Sequence, residues 1–201
     1  MPRTLGIVTT SAEETRILGA ALAPLLVPGD VISLSGDLGA GKTVFVQGVA
    51  GALGVEQRVT SPTFTLVHHL VGRYPIIHVD VYRLESFQEV MDLGFDELID
   101  PEAILLVEWG EVVAPLLPRR HLEVELRRRA TDNAVNERAV IFRPRGEEWV
   151  RKLEGMCSTA ETLLAAAAPG EEPGSRFVDG AQLASDGPRV GVDRPEEGSP
   201  C

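Results

Sequence analysis

A glycine-rich segment that ends in lysine and threonine carries the strongest chemical signal of this sequence. Residues 36–43 read GDLGAGKT and match the phosphate-loop pattern G-x-x-x-x-G-K-[ST] at every position. Glycines let the backbone wrap a phosphate with its N–H groups inward, and a helix that begins near the lysine points its positive dipole end at the same anion. In such loops the lysine reaches the outer phosphates and the threonine hydroxyl binds Mg²⁺. We therefore predict a nucleotide site formed by Gly36, Asp37, Leu38, Gly39, Ala40, Gly41, Lys42 and Thr43.

The predicted nucleotide is ATP rather than GTP. Small GTPases select guanine with an Asn-Lys-x-Asp segment, and this chain has only two lysines, Lys42 and Lys152. Lys152 stands in VRKLEG, which does not match that segment. ATP is therefore the better prediction.

Two carboxylates are candidates for chemistry beside the phosphates. IIHVD ends at Asp80 and ILLVE ends at Glu108, each after an apolar run typical of a buried strand. The carboxyl ends of parallel strands lie at the edge of the sheet where ligands bind, and a nucleotide-hydrolysing site needs an acidic side chain there to hold Mg²⁺ directly or through water. The residues alone predict that at least one of the two serves this purpose, and either is a candidate for the metal contact.

A hydroxyl-rich segment, residues 60–65 (TSPTFT), follows the helix of the phosphate loop. A switch segment that senses the terminal phosphate would lie there, although composition alone favours a plain turn into the next strand. Trp109 directly follows Glu108, and strand alternation turns its side chain to the opposite side, which favours a packing role. Three histidines lack companions at metal-ligand spacing, so strand alternation explains them better than zinc binding: His68, His69 and His78.

The elements that must position these residues alternate as in an α/β domain from Leu5 to about Ala168. We predict strands in the segments LGIVTT, VISLSG, PIIHVDVYRL, AILLVEWG, HLEVELRRR and RAVIFRP. Helices are predicted from Ser11 to Leu26, from Lys42 to about Leu53, from Ser86 over a short stretch, and from Glu147 to Ala168. This order predicts a P-loop NTPase-like three-layer sandwich whose central sheet is mostly parallel, with antiparallel additions.

Composition limits the domain organisation and the class of partner. Residues 1–168 are predicted to form one domain, whereas residues 169–201 contain seven acidic side chains, three arginines and many glycines and prolines, which predicts a disordered tail. The net charge of -11 argues against independent binding of nucleic acid, which depends on a basic face. No secretory leader or membrane-length apolar run is recognisable, so a cytoplasmic protein without membrane contact is expected.

Five motifs in order resemble the TsaE (YjeE) family, small ATPases of the bacterial pathway that makes threonylcarbamoyladenosine in tRNA. They are GDLGAGKT, SPTFTLV, HVDVYRLES, LGFDELID and LVEWGE, which together span about Gly29 to Pro118. Weaker similarity extends from near Leu5 to Val140. Five ordered motifs are far more specific than one phosphate loop.

The resemblance implies a role for each matching residue. Thr43 and Glu108 would be the Mg²⁺ ligands, and Asp80 would act near the metal and the attacking water. Residues 60–65 would form a switch region with Thr63 as its sensor. Two further side chains would contact the nucleotide: Trp109, and Ser11 at the adenine.

The resemblance also implies ATP hydrolysis that is slow alone and faster with partners. The partners would be TsaB and TsaD, so that tRNA is met only indirectly through the complex. The acidic tail has no counterpart in the family pattern and receives no role in the chemistry. Two other functions stay open: a small-molecule kinase, disfavoured because no arginine-bearing lid is recognisable, and a nucleotide-gated binding module without significant turnover.

Overall fold

The computed structural model of the chain describes residues 4–62, 65–84, 87–129, 136–167, 177–180 and 183. The strands are β1 (Leu5–Thr9), β2 (Val31–Ser35), β3 (Val67–Val71), β4 (Pro75–Asp80), β5 (Ile104–Glu108), β6 (His121–Arg128), β7 (Arg138–Arg145) and β8 (Phe177–Asp179). The α-helices are α1 (Ala12–Leu22), α2 (Lys42–Ala52), α3 (Phe87–Asp92) and α4 (Glu147–Ala167). Short 3-10 helices span Ala23–Leu25, Phe95–Leu98 and Ala114–Leu116. No helix in these ranges is both long and apolar enough to cross a bilayer.

All eight strands form one sheet in the order β3-β4-β5-β2-β6-β7-β1-β8. The four strands at its centre, β4-β5-β2-β6, are parallel, and the remaining pairings are antiparallel. The apolar runs VISLSG and AILLVEWG, predicted as buried strands, lie in this parallel part, as expected for strands covered on both faces. The predicted parallel centre with antiparallel additions is confirmed.

Two hydrophobic cores lie on opposite faces of the sheet. The larger one packs α1, α2 and α4 against the sheet and includes Leu18, Phe45 and Trp149. The second packs Val90 of α3 and the 3-10 helix residue Phe95 against the other face of β2, β4 and β5. Helices therefore cover the sheet from both sides, and the predicted three-layer sandwich is confirmed.

The helix of the phosphate loop is held by close backbone contact with α1. A Cβ atom added to Gly48 of α2 would lie 2.0 Å from the Arg16 carbonyl oxygen, and one added to Gly19 of α1 would lie 2.2 Å from the Phe45 carbonyl oxygen. The two helices approach this closely because both contact positions lack a side chain. The first turn of α2, which carries Lys42, is thereby fixed relative to α1.

One part of the predicted tail belongs to the sheet. Phe177–Asp179 pairs antiparallel with β1, and Leu183 is buried against β7. The expectation of disorder differs from the structure at this strand because the outer side of β1 offers free backbone donors and acceptors to an extended segment. Apart from residues 177–180 and 183, the segment 169–201 lies outside the described residues.

Candidate functional site

The glycines of residues 36–41 shape the loop between β2 and α2. Gly36, Gly39 and Gly41 have φ angles of 127°, 72° and 112°, a region that favours glycine. A Cβ atom on Gly36 would also lie 2.0 Å from the Leu126 carbonyl oxygen of β6. The loop therefore requires glycine both for its backbone conformation and for its contact with the neighbouring strand.

The end of β6 also supports the tip of this loop. The Arg128 guanidinium donates a hydrogen bond to the Leu38 carbonyl oxygen at 2.8 Å. Leu38 itself is 67% exposed, so the arginine holds the backbone while the side chain faces solvent. The loop tip is thus fixed by Arg128, whose contact with the loop the sequence patterns do not predict.

Lys42 lies at the centre of the loop and is buried. Its ammonium donates to the carbonyl oxygens of Gly36 at 2.6 Å and Asp37 at 3.0 Å. The same nitrogen lies 3.6 Å from the ring centroid of Trp109, a cation–π contact. Burial lowers the pKa of Lys42, and the nearby carboxylates, Glu108 first, oppose this change.

A short chain of hydrogen bonds connects α2 to two strands of the sheet. The Thr43 hydroxyl donates to Oε2 of Glu108 at 2.9 Å. The other carboxylate oxygen, Oε1, lies 3.0 Å from Nε2 of His78. Both Glu108 and His78 are buried, so each oxygen of this carboxylate has one protein partner inside the fold.

Asp80 stands beside Glu108 at the edge of the parallel strands, and the two residues are paired in the β4–β5 register. Oδ1 of Asp80 accepts a hydrogen bond from the Tyr82 backbone N–H at 3.0 Å, and Oδ2 of Asp80 accepts one from the Ser61 hydroxyl. Ser61 belongs to the hydroxyl-rich segment 60–65. That segment is therefore linked to the acidic edge of the site through this serine.

Trp109 leaves the strand with a left-handed backbone, φ 62°. Its ring stacks on Tyr82 with centroids 4.9 Å apart and covers the Lys42 ammonium. The ring also packs against the second core, on the side of β5 that strand alternation predicts, so the packing role is confirmed. The implied contact of Trp109 with the nucleotide stays a prediction.

The charges around the loop suit a metal–nucleotide complex. Four carboxylates act on the Lys42 ammonium: Glu108, Glu111, Asp80 and Asp37. A triphosphate facing this many negative charges would be repelled unless a cation came with it. Mg²⁺ prefers oxygen ligands and usually combines one or two protein groups with phosphates and water, which matches the hydroxyl of Thr43 and the carboxylate of Glu108. The donor set therefore fits Mg²⁺ with a nucleotide.

These groups line one open cleft of about 380 Å³. Eight of the predicted site residues line it: Leu38, Gly39, Gly41, Lys42, Thr43, Asp80, Glu108 and Trp109. Ser61, from the hydroxyl-rich segment 60–65, and Tyr82 line it as well, although the sequence assigned neither residue a role of its own. The structure thus brings together the phosphate loop, both candidate carboxylates and the tryptophan.

The roles of two further predicted residues stay untested. Ser11 caps α1, where its hydroxyl accepts from the Glu14 backbone N–H at 3.1 Å, and it does not line the cleft. Its contact with adenine stays a prediction. Thr63, the implied sensor, lies outside the described residues.

His78 is the buried residue of this site whose contact the sequence patterns do not predict. The sequence nonetheless contains a feature that indicates such a contact. A polar side chain within the otherwise apolar run IIHVD needs a hydrogen-bond partner when the strand is buried on both faces. The spacing of two residues also puts His78 on the same side of β4 as Asp80.

The strand, glycine loop and helix, together with two acidic strand ends at the loop, define a P-loop protein. The model of the family described as "Threonylcarbamoyl adenosine biosynthesis protein TsaE" matches residues 9–139. The chain belongs to the TsaE family. The resemblance carried by the five sequence motifs is thereby confirmed.

Relatives and a solved structure agree with this assignment. The tRNA threonylcarbamoyladenosine biosynthesis protein TsaE of Bacillus subtilis is 39% identical over 142 residues, 70% of this chain and 86% of that protein. The protein of the same name from Treponema pallidum is 42% identical over 126 residues, 63% of this chain and 93% of that protein. The crystal structure of Bacillus subtilis YdiB superposes with a TM-score of 0.67 and 33% identity, covering 79% of this chain and 97% of that one.

Proposed function

We propose that this chain is the Mg²⁺-dependent ATPase subunit that serves threonylcarbamoyladenosine modification of tRNA. Membership in the TsaE family supports the pathway. The observation that carries the ATPase activity is the meeting of Thr43 and Glu108 at 2.9 Å, with Asp80 beside them at the phosphate loop. A hydroxyl and two carboxylates at the start of a phosphate-loop helix are the protein groups that nucleotide hydrolysis with Mg²⁺ uses.

Each group of the cleft has a separate task in this proposal. The backbone N–H groups of residues 36–43 and the Lys42 ammonium bind the phosphates, and Lys42 exchanges its two loop carbonyls for phosphate oxygens. Thr43 and Glu108 would hold Mg²⁺, which neutralises the charge that develops on the phosphates. Asp80 orients the attacking water, because Ser61 and the Tyr82 backbone already fix the Asp80 carboxylate. The same carboxylate accepts the proton of the water.

The remaining predicted residues complete the nucleotide site. Trp109 packs beside the phosphates or ribose, where it covers Lys42. Residues 60–65 act as the switch, with Thr63 as the sensor of the terminal phosphate. Ser11 approaches the adenine. The hydrogen bond from Ser61 to Asp80 supports the switch, because it couples this segment to the acid that faces the water.

The acidic character of the chain supports an indirect relation to tRNA. With a net charge of -11 the chain is poorly suited to bind RNA alone, so we propose that it acts with TsaB- and TsaD-like proteins and meets tRNA through them. A role in tRNA modification also supports a cytoplasmic location. ATP turnover would drive or reset the assembly.

The test is phosphate release from ATP by the chain with its reconstituted partners. We expect Asp80→Asn and Glu108→Gln each to lower turnover on the order of 100-fold or more, because each removes a charged group from the reacting edge. Glu102→Gln is the matched control: it makes the same chemical change at an exposed position before the other end of β5 and should leave turnover unchanged.

Three results would contradict the proposal. Unchanged hydrolysis by Glu108→Gln would reject the metal role of this residue. Transfer of label from ATP to a metabolite rather than to water would indicate a small-molecule kinase. Partner affinity that depends on the nucleotide, without any phosphate release, would indicate a nucleotide-gated binding module.

A further inference from the structure

We infer that His78 is a positioning residue for the Glu108 carboxylate and thereby sets the affinity of the site for Mg²⁺ in the presence of nucleotide. This inference rests on the proposed function, in which Glu108 contacts the metal. It assigns a task to a histidine that strand alternation alone explains in the sequence.

The contacts of Glu108 fix the protonation pattern of the histidine. A carboxylate only accepts, so Nε2 of His78 carries the proton and donates to Oε1 at 3.0 Å. Oε2 remains for the Thr43 hydroxyl at 2.9 Å. The imidazole therefore occupies the oxygen of Glu108 that faces away from the loop helix.

Glu108 is the one hydrogen-bond partner of the His78 side chain within the described part of the chain. His78 is 0% exposed. Its second ring nitrogen, Nδ1, has no hydrogen-bond partner among the described residues. Apolar residues adjoin it along β4, among them Ile77 and Val79. The ring of His68 on β3 lies edge-on with its centroid 6.5 Å from that of His78, and the hydrogen bond with Glu108 compensates the burial of this polar side chain.

Because Glu108 is a glutamate, one hydrogen bond is not enough to fix the orientation of its carboxylate. The side chain of glutamate has one more rotatable bond than that of aspartate, so a single hydrogen bond from Thr43 leaves the carboxylate free to turn about that contact. The hydrogen bond from His78 removes this freedom, because β4 holds the ring within a buried sheet. Groups that orient a metal-binding carboxylate in this way typically change metal affinity or activity by about 10–100-fold when removed.

Two amide replacements separate positioning from packing. The side-chain nitrogen of glutamine lies at the same number of bonds from Cα as Nε2 of histidine, whereas that of asparagine corresponds to Nδ1 and falls short of Glu108. His78→Gln therefore retains the N–H donor to Glu108. His78→Asn keeps a polar side chain at this position but loses that donor. The pair is a matched control for this one hydrogen bond.

The experiment titrates Mg²⁺ into the full chain with a fluorescent ATP analogue and measures nucleotide binding, not turnover. For His78→Asn we expect the Mg²⁺ concentration at half-saturation to rise about 10–100-fold, with nucleotide affinity in the absence of Mg²⁺ within about twofold of the wild type. His78→Gln should stay within about fivefold of the wild type. In a Glu108→Gln background, His78→Asn should add nothing, because the acceptor has already changed.

Several outcomes would overturn the inference. The first is an unchanged Mg²⁺ concentration at half-saturation in His78→Asn. The second is a rise in that concentration that is equal in His78→Gln and His78→Asn. The third is a loss of nucleotide affinity in His78→Asn that is as large without Mg²⁺ as with it. Thermal unfolding of each variant checks that it folds. Nitrogen NMR of the wild-type imidazole needs no substitution: an Nε2-protonated ring supports the inference, and an Nδ1-protonated ring overturns it.

The same titration keeps this inference apart from the proposed function. If Glu108→Gln itself leaves the Mg²⁺ requirement unchanged, the metal role of Glu108 fails, and the role of His78 fails with it. If Glu108→Gln raises the requirement and His78→Asn does not, the proposed function stands and the inference about His78 alone is wrong.

Discussion

Replacing Gly48 by alanine should destabilise the protein, although alanine is the better helix former. Gly48 lies inside α2, where an added Cβ atom would be 2.0 Å from the Arg16 carbonyl oxygen, against about 3.4 Å at ordinary contact. Both partners are helix backbone, so neither can rotate away as a side chain would. Separating the two helices disturbs the buried packing along their whole contact.

The magnitude follows from two opposing effects. Overpacking of a close contact costs about 1–3 kcal/mol, and the upper end applies because the backbone is rigid. The gain in helix propensity from glycine to alanine is about 1 kcal/mol. We therefore expect Gly48→Ala to lower the free energy of unfolding by about 2 kcal/mol, or Tm by about 4–8 °C.

Gly51 provides the control within the same helix. A Cβ atom at that exposed position meets nothing within 4 Å, so Gly51→Ala keeps the propensity gain without the clash. We expect it to raise the free energy of unfolding by about 0.5–1 kcal/mol. Urea denaturation of both variants measures the two effects with opposite signs. If the two variants were equally stable, the close approach of α1 and α2 would not be the reason for glycine at position 48.

Two further predictions concern charged groups outside the cleft. Hydrogen bonds from His121 and Arg145 lower the pKa of Glu123 to about 2, so its carboxylate stabilises the fold above pH 4.5 and this contribution is lost as the pH falls toward 2. Urea denaturation should show Glu123→Gln to be less stable than the wild type by about 1 kcal/mol near neutral pH, a value that allows for the solvent exposure of the pair. This difference in the free energy of unfolding should vanish near pH 2. A difference that does not change with pH would contradict the assignment. Lys152→Met leaves the buried Asp30 carboxylate without its ammonium, which lies 2.6 Å away, and should cost about 3 kcal/mol. Adding Asp30→Asn should recover much of this loss in the same measurement, and no recovery would contradict the ion-pair explanation.

The residues that chemistry requires were predictable because their signals are local. A phosphate loop needs glycines at fixed spacing before lysine, and the strands β4 and β5 each end at a recognisable acid, Asp80 and Glu108. The structure places residues 36–41 between a buried strand and the helix that begins at Lys42, as predicted, and brings Asp80 and Glu108 into register on adjacent strands. Their proposed roles in hydrolysis stay predictions.

Trp109 shows where local patterns are incomplete. Alternation along β5 predicts its packing against the second core, but not its left-handed backbone of φ 62° or the contact of its ring with Lys42. A left-handed conformation at a large residue is favourable only with compensating contacts, here the Lys42 ammonium and the Tyr82 ring. Those contacts join parts of the chain that are distant in sequence, so no window around Trp109 predicts them.

The contact between His78 and Glu108 depends on strand order. The sequence predicts both strands but not that β4 lies beside β5, which is a property of the whole sheet. The strand at Phe177–Asp179 was not predicted, because it too depends on pairing with a strand that is distant in sequence. Its partner is the outer side of β1, and an apolar pair within an acidic, glycine-rich stretch carries little signal by itself.

The position of β1 in the sheet has a consequence for the order in which a newly made chain can assemble. Leu5–Thr9 pairs with β7 and β8, both from the far end of the described sequence. The strands β4, β5, β2 and β6 all lie between Val31 and Arg128 and can associate earlier as the polypeptide leaves the ribosome. Among the described strands, Leu5–Thr9 is synthesised before the parallel centre of the sheet, yet it can pair only after Arg138–Arg145 has been made.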